Sequence, residues 1–292
     1  MNHEYAEVNG IRMHYVTAGS GRLILFAHGF PEFWYAWRAQ LEEFGRDHHA
    51  VAPDLRGYNL SSKPEGVEHY RVRHMVEDLR ALASHLGAKK FVLVAHDWGG
   101  AVAWAFALAH PELLEKLVII NAPHPGVFAR LLRSDAAQQQ ASQYMRMFCT
   151  PEAEGILSDD NYKALVDIVI AHGLKRGYFD QADQAAYIEA WSQPGALTGG
   201  LNYYRAARLL PPPPGTPLDP GPLDLDVGTL TVHVPTLVIW GERDTALMTA
   251  NLDGLDQFVP ELTIRRIPDA NHWVVHQRPE LVNRYIREFL VQ

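Results

Sequence analysis

Short runs that are apolar at nearly every position recur along the first 125 residues: LILFAH (23–28), AVAPD (50–54), FVLVAHD (91–97) and KLVIINAP (116–123). A strand covered on both faces has this signature, because alternate side chains then point into two separate apolar layers. Between the runs lie stretches of helical period, such as 70–86. The pattern predicts a parallel sheet with crossover helices.

The pattern changes from about 125 to 210, where helical periodicity continues without a convincing strand and the chain is rich in Gln, Ala, Tyr and Met. This predicts an inserted helical unit. It closes at Pro211-Pro212-Pro213-Pro214-Gly215, with Pro217, Pro220 and Pro222 following. That density excludes helix and central strand and reads as a stiff linker. Strand signals resume in TLVIWGERD (236–244) and LTIRRIP (262–268), and a last helix is expected from about His276 to Leu290. The expected fold class is α/β, a mostly parallel sheet flanked by helices, with a core of 1–124 and 226–292 and a helical cap at 125–225. In such sheets the residues just past each strand carry the chemistry.

Composition narrows the function classes. The formal charge is −8, from 26 Lys and Arg against 34 Asp and Glu, and no basic block could track a phosphate backbone. Nucleic acid is therefore not an expected partner. Cys149 is the only cysteine, which leaves no intramolecular disulfide, CxxC pair or cysteine-rich metal site and makes a reducing cytoplasm the default compartment. The N-terminal stretch has no basic segment leading into an apolar one, and no window is long and apolar enough to span a bilayer. Neither secretion nor membrane insertion is expected, and nothing calls for a metal or cofactor.

At the end of the third apolar run the chain reads Ala95-His96-Asp97-Trp98-Gly99-Gly100 and passes into AVAWAFALAH. This is the small-x-nucleophile-x-small layout of a tight strand-to-helix turn, with Ala95 where glycine is usual. The turn presents a carboxylate in place of a hydroxyl. An ionised Asp at the start of a helix needs no base to attack, and it forms an alkyl ester with saturated carbon that bears a leaving group, an epoxide oxygen or a halide. On its own Asp97 reads equally well as a helix cap. The rest of the chain decides for the nucleophile, because acid and histidine follow in the order this architecture requires. Asp244 lies just past TLVIWGER, and His272 follows the last strand in PDANHW. His272 would activate water and Asp244 would fix its tautomer. Glu242 and Asp269 compete for the acid role, but Asp244 has the G-x-x-D position, and Asn121, past an earlier strand, cannot ionise. Ester hydrolysis builds an oxyanion, for which the backbone N–H groups of Trp98 and Phe30 are the expected donors. His28 and Pro31 are expected to shape the loop.

Together, HGFPEFWYAWRAQ, DLRGYNLSSKP, HDWGG, GERD and ANHW resemble the epoxide-hydrolase branch of the α/β-hydrolase superfamily over essentially the whole chain. The resemblance implies a helical lid after the sixth strand, a small-molecule epoxide and water as reactants, and two lid tyrosines that donate to the epoxide oxygen. By motif position these are Tyr144, in Tyr144-Met145-Arg146-Met147-Phe148, and Tyr204, beside the easily confused Tyr203. Asn59 replaces the family's usual turn glycine, which a left-handed asparagine can do. A dehalogenase would share the Asp nucleophile. However, Phe30 stands where many haloalkane dehalogenases have a halide-binding Asn, and Trp98, Met145 and Arg146 stand where fluoroacetate dehalogenases carry an arginine and a His-Trp pair. A non-catalytic ligand-binding homologue would not need all three triad members. Arg205, Arg208, His124, Cys149 and Trp191 read as packing or surface residues, and the oligomeric state is not legible.

Overall fold

The computed structural model describes residues 1–207, 209–219, 221 and 227–292. Arg208, Pro220, Pro222 and the expected core boundary at 225/226 lie outside the described residues. An eight-stranded sheet has the order β1-β2-β4-β3-β5-β6-β7-β8, with β1 (Asn2–Val8), β2 (Ile11–Ala18), β3 (Leu23–Ala27), β4 (His49–Pro53), β5 (Phe91–His96), β6 (Leu114–Ile120), β7 (Thr236–Gly241) and β8 (Leu262–Ile267). From β4 across to β8 neighbouring strands are parallel; β1 and β2 join antiparallel at one edge.

Every residue of β5 is buried because the sheet is covered twice. Val92 and Val94 face a cluster that holds Trp37, Leu41 and Phe44 on and beside α1 (Arg38–Phe44), and Ile286 and Phe289 of the final helix. Phe91, Leu93 and Ala95 face the other cluster with α2 (Val72–His85) and α3 (Asp97–Ala109). The strand order reverses between β3 and β5, since the chain builds β4 on one side of β3 and then crosses back to build β5 to β8 on the other. Such a reversal opens a crevice at the carboxyl ends of the two strands. Ala27 pairs with Ala95, so the same register carried two residues on sets Gly29 beside Asp97.

Between β6 and β7 the described chain is helical: α4 (Pro125–Ser134), α5 (Ala136–Ala141), α6 (Tyr144–Phe148), α7 (Ala153–Leu165), a π-helical turn (Val166–Ile170), α8 (Ala171–Arg176), α9 (Gln181–Ser192) and α10 (Ala196–Ala206). No strand interrupts the described part of this insertion. Pro211 to Gly215 runs without helix or strand.

Three details differ from the sequence expectation. The periodic stretch from Tyr70 begins as a short 3-10 turn (Val67–Tyr70), and α2 proper starts at Val72. The last helix is two pieces, α11 (Val274–Gln277) and α12 (Pro279–Leu290), broken at Arg278 (φ −139, ψ 50), because a proline disfavours helical backbone in the residue before it. The β1–β2 hairpin was not expected at all. Its two-residue turn is Asn9-Gly10, both with positive φ (46 and 77), as a hairpin turn matched to strand twist requires.

Candidate active site

Asp97 occupies the turn from β5 into α3 with φ 51, a left-handed conformation costly for a residue with a side chain. The turn closes only because Gly99 lacks a Cβ, which would strike the carbonyl oxygens of Ala27 and His28. Gly29 is small for the same reason: a Cβ there would run into the Asp97 side chain. The carboxylate is thus aimed into the crevice, and the Phe30 N–H donates to its Oδ1 at 2.7 Å. Trp98, whose N–H was the other expected oxyanion donor, is the next residue in the first turn of α3. His28 holds this loop from below. Its Nε2 accepts from the Leu55 N–H at 3.0 Å, so its Nδ1 carries the proton toward the Gly29 carbonyl at 2.9 Å.

The structure brings the two other expected members to the same spot. His272 Nε2 lies 3.4 Å from Asp97 Oδ2, and its Nδ1 lies 2.7 Å from Asp244 Oδ2. Asp244 is buried, and its Oδ1 accepts from the N–H groups of Ala246 (2.8 Å) and Leu247 (2.9 Å). Burial alone would raise its pKa, but the His272 ring and these donors hold it below the ordinary value. For His272 burial disfavours the charged form, yet the carboxylates of Asp244 and Asp97 override this and hold its pKa well above 6.5. The competing acids are engaged elsewhere: Glu242 with Arg266, and Asp269 with Arg278 on the surface.

Asn121 cannot ionise, but it is not idle. Its Nδ2 donates to Asp244 Oδ2 at 2.8 Å and its Oδ1 accepts from the Gly241 N–H at 2.8 Å, which ties the ends of β6 and β7 together under the acid.

Sequence reasoning missed a buried group behind the triad. Glu32 accepts from the Tyr187 hydroxyl of α9 at 2.8 Å, is hydrogen-bonded to His276 Nε2, and lies 3.4 Å from His96 Nδ1. The other nitrogen of His96 donates to the His272 carbonyl at 2.9 Å, and the two rings are 4.7 Å apart. Burial would push the Glu32 carboxyl up, but His276 and His96 hold it well below the usual range. The only sequence signal was Glu32 itself, the one charged residue in the aromatic-rich Phe30 to Tyr35 stretch.

A cavity of about 520 Å³ opens above Asp97, lined by Trp98, Ala101, Ala105, Phe128, Tyr144, Met145, Tyr203 and Tyr204 among others. Tyr204 stacks edge-on against Trp98 (5.0 Å) and Phe30 (5.4 Å), with Tyr144 6.2 Å away. Burial pushes both phenols up, and the Asp97 charge adds to it, so each keeps its proton at neutral pH. Tyr203 is distinguished from Tyr204 by its hydroxyl, which is committed to the Arg56 carbonyl at 2.9 Å. The residues read as packing have such roles: His124 caps α4, Trp191 donates to the Pro31 carbonyl, and Arg205 pairs with Glu154. Asn59 adopts φ 39. No helix among the described residues is long and apolar enough to cross a membrane.

A strand-to-helix turn carrying a carboxylate, followed by acid and histidine at later strand ends, defines the class: the alpha/beta hydrolase fold family matches residues 22–279, and the chain belongs to it, within the epoxide-hydrolase branch. Epoxide hydrolase 2 of Caenorhabditis elegans is 36% identical over 296 residues, covering 99% of this chain and 80% of the relative. Epoxide hydrolase 4 of Homo sapiens is 37% identical over 292 residues, covering 97% of this chain and 76% of the relative. The crystal structure of an epoxide hydrolase from Bacillus megaterium in complex with an inhibitor matches with a TM-score of 0.90 at 39% identity, covering 99% of this chain and 100% of that one.

Proposed function

We propose that this protein adds water to a small-molecule epoxide and releases a vicinal diol, through a covalent ester on Asp97, with no cofactor or metal. The observation that carries the reading is the Asp97 carboxylate, one oxygen held by a backbone N–H and the other facing His272, at the floor of a cavity that also holds two proton-bearing tyrosines. In the first step an Asp97 oxygen attacks an epoxide carbon, the C–O bond breaks, and the leaving oxygen takes a hydrogen bond and proton from Tyr144 and Tyr204. The product is a hydroxyalkyl ester. In the second step His272 removes a proton from water, and the hydroxide adds to the Asp97 carboxyl carbon. The resulting oxyanion is stabilised by the N–H groups of Phe30 and Trp98; as the ester C–O bond breaks, the departing alkoxide takes the proton held by His272 to give the diol, and the phenolate left by the first step recovers its proton from the Asp97 carboxyl, which returns to carboxylate. Asp244 holds the imidazole in register and stabilises its charge.

Residues 125–225 act as the cap that excludes bulk water, over a core of 1–124 and 226–292. A lone cysteine suits a reducing compartment, the cytoplasm. A departing halide would need side-chain donors, and Phe30 has none, so dehalogenation is the weaker reading.

Styrene oxide turnover without added metal tests the proposal. Asp97→Asn is expected to lose at least about 10³-fold in rate, and His272→Gln to form the ester but not release it, so that intact-protein mass spectrometry finds the adduct accumulating. In a single turnover in ¹⁸O-water the label should enter the Asp97 carboxylate; label that goes straight into the first diol formed would replace this mechanism with a one-step attack by water.

A further inference from the structure

Asp244 stands in a stretch that no regular element holds. From Asp244 to Met248 the chain is neither helix nor strand, between the end of β7 and a 3-10 turn (Thr249–Leu252). This loop nevertheless supplies the Ala246 and Leu247 N–H groups that hold Asp244 Oδ1, and so fixes the direction in which Oδ2 points. What holds the loop is a side chain of the insertion. Gln138 of α5 is fully buried and uses all four of its hydrogen-bonding positions. Its Nε2 donates to the Ala246 carbonyl and to Ser142 Oγ, both at 2.8 Å. Its Oε1 accepts from the Met248 N–H at 2.9 Å and from Asn251 Nδ2 at 2.8 Å. The partners set the orientation of the amide, since a carbonyl can only accept and a backbone N–H can only donate. Asn251, buried in the 3-10 turn, gives its second N–H to the Met248 carbonyl at 2.8 Å, which folds the loop back on the same glutamine.

We propose that Gln138 is a positioning residue for ester breakdown: from the insertion it clamps the loop that aims the Asp244 carboxylate at His272. The inference rests on the reading of His272 as the base that hydrolyses an Asp97 ester. Asp244 is gripped from two sides. Asn121 holds Oδ2 from the end of β6, and the loop holds Oδ1. With the loop slack, Asn121 alone leaves the carboxylate free to swing about its own side-chain bonds, and Oδ2 loses its fixed place beside His272 Nδ1. A buried amide with every position satisfied removes that slack, because any shift of the loop breaks several hydrogen bonds at once in a site that offers no replacement. Gln138, its partner Ser142 and Tyr144 also lie in one short run of the insertion, so the group that steadies the acid arrives together with one of the two phenols. The other groups facing His272 do not depend on the loop: Asp97 belongs to the turn after β5, and His96, whose ring is 4.7 Å away, is held from behind by Glu32.

Gln138→Met keeps the length of the side chain and removes its four hydrogen bonds. In single turnovers of styrene oxide, ester formation should stay within about twofold of the wild-type rate, while ester breakdown slows about 10- to 100-fold. The pH limb of breakdown should move to lower pH by about half a unit or more, because an imidazole whose carboxylate partner wanders gives up its proton more easily. A role confined to folding would reduce the amplitude of both steps together and leave the midpoint of the limb in place, and that result overturns the proposal. Breakdown at the wild-type rate overturns it too. Asn251→Ala loosens the clamp from the loop side without touching the insertion. It should slow breakdown in the same direction, and the double variant should be no slower than Gln138→Met alone; losses that multiply show two independent effects and contradict a single clamp. The wild type separates the two levels of the argument. If it forms no ester, the covalent reading fails and the clamp falls with it; if ester forms and Gln138→Met breaks it down normally, only the clamp fails.

Discussion

At the residue scale, the site depends on one side chain held on a strained, left-handed backbone. Asp97 keeps its left-handed φ because Gly99 lets α3 start against the carbonyls of β3 and the loop after it. Gly99→Ala drives a methyl group into two backbone oxygens that have no room to retreat, and it should cost about 2 kcal/mol in denaturant stability and most of the activity. Retention of full activity would show that the turn has slack. The pH dependence follows from the two carboxylates beside His272. While both are charged, the imidazole is held protonated above its ordinary pKa; in the proposed ester Asp97 is neutral, one of those charges is gone, and the proton is held less tightly. Breakdown of the ester should therefore accelerate as pH rises until His272 is fully neutral, with ester formation much less affected, which stopped-flow single turnovers can resolve. Breakdown that is faster in acid contradicts the base role. For folding the sign is opposite to that of a carboxylate: a raised histidine pKa stabilises below pH 6.5, and the benefit fades as pH climbs through the raised value.

At the scale of elements, α9 is bolted to the loop after β3. Tyr187 donates to Glu32, Trp191 donates to the Pro31 carbonyl, and Asp183 accepts from Tyr35 (2.9 Å) and pairs with Arg38 (3.0 Å). Tyr187→Phe deletes one donor to a buried anion and should lower stability by about 1–3 kcal/mol in urea titrations, with protease sensitivity rising in the insertion before the core unfolds. The inner strands of the parallel sheet were legible because they are covered on both faces and read as nearly unbroken apolar runs, whereas the edge strand β8 carries Thr263, Arg265 and Arg266 and is only partly buried. The hairpin was present in the sequence as Asn9-Gly10, but β1 is largely exposed and polar, so apolar pattern alone passed over it. Helical content of the insertion was legible from its period. Its division into short helices and a π turn was not, because short helices joined by tight turns keep the same period across their breaks.

At the scale of the whole molecule, Asp97, Asp244 and His272 could be found from the sequence since each follows a recognisable strand, and strand ends converge by topology. The group around Glu32 could not. Its partners Tyr187 and His276 are 155 and 244 residues away, and nothing local marks them as neighbours. That group also predicts acid behaviour. Glu32 has a depressed pKa in the fold, so its contribution is complete above the ordinary carboxylate value and is lost as pH falls through the depressed one. Glu32→Gln strips the charge from a buried ion cluster and should cost about 3 kcal/mol near neutral pH, with a shallower acid limb in a plot of stability against pH. An acid limb identical to the wild type would assign the acid sensitivity to other groups.

The two phenols over Asp97 come from opposite ends of a single continuous insertion, Tyr144 on α6 and Tyr204 on α10, and α10 is pinned to the core through Tyr203 and Arg56. Exchanging that stretch whole with a related enzyme would carry both hydroxyls across together and leave the nucleophile's surroundings coherent. A splice point anywhere between Tyr144 and Tyr204 would separate one phenol from the other, so recombination among relatives should tolerate new insertions only when that stretch is exchanged whole.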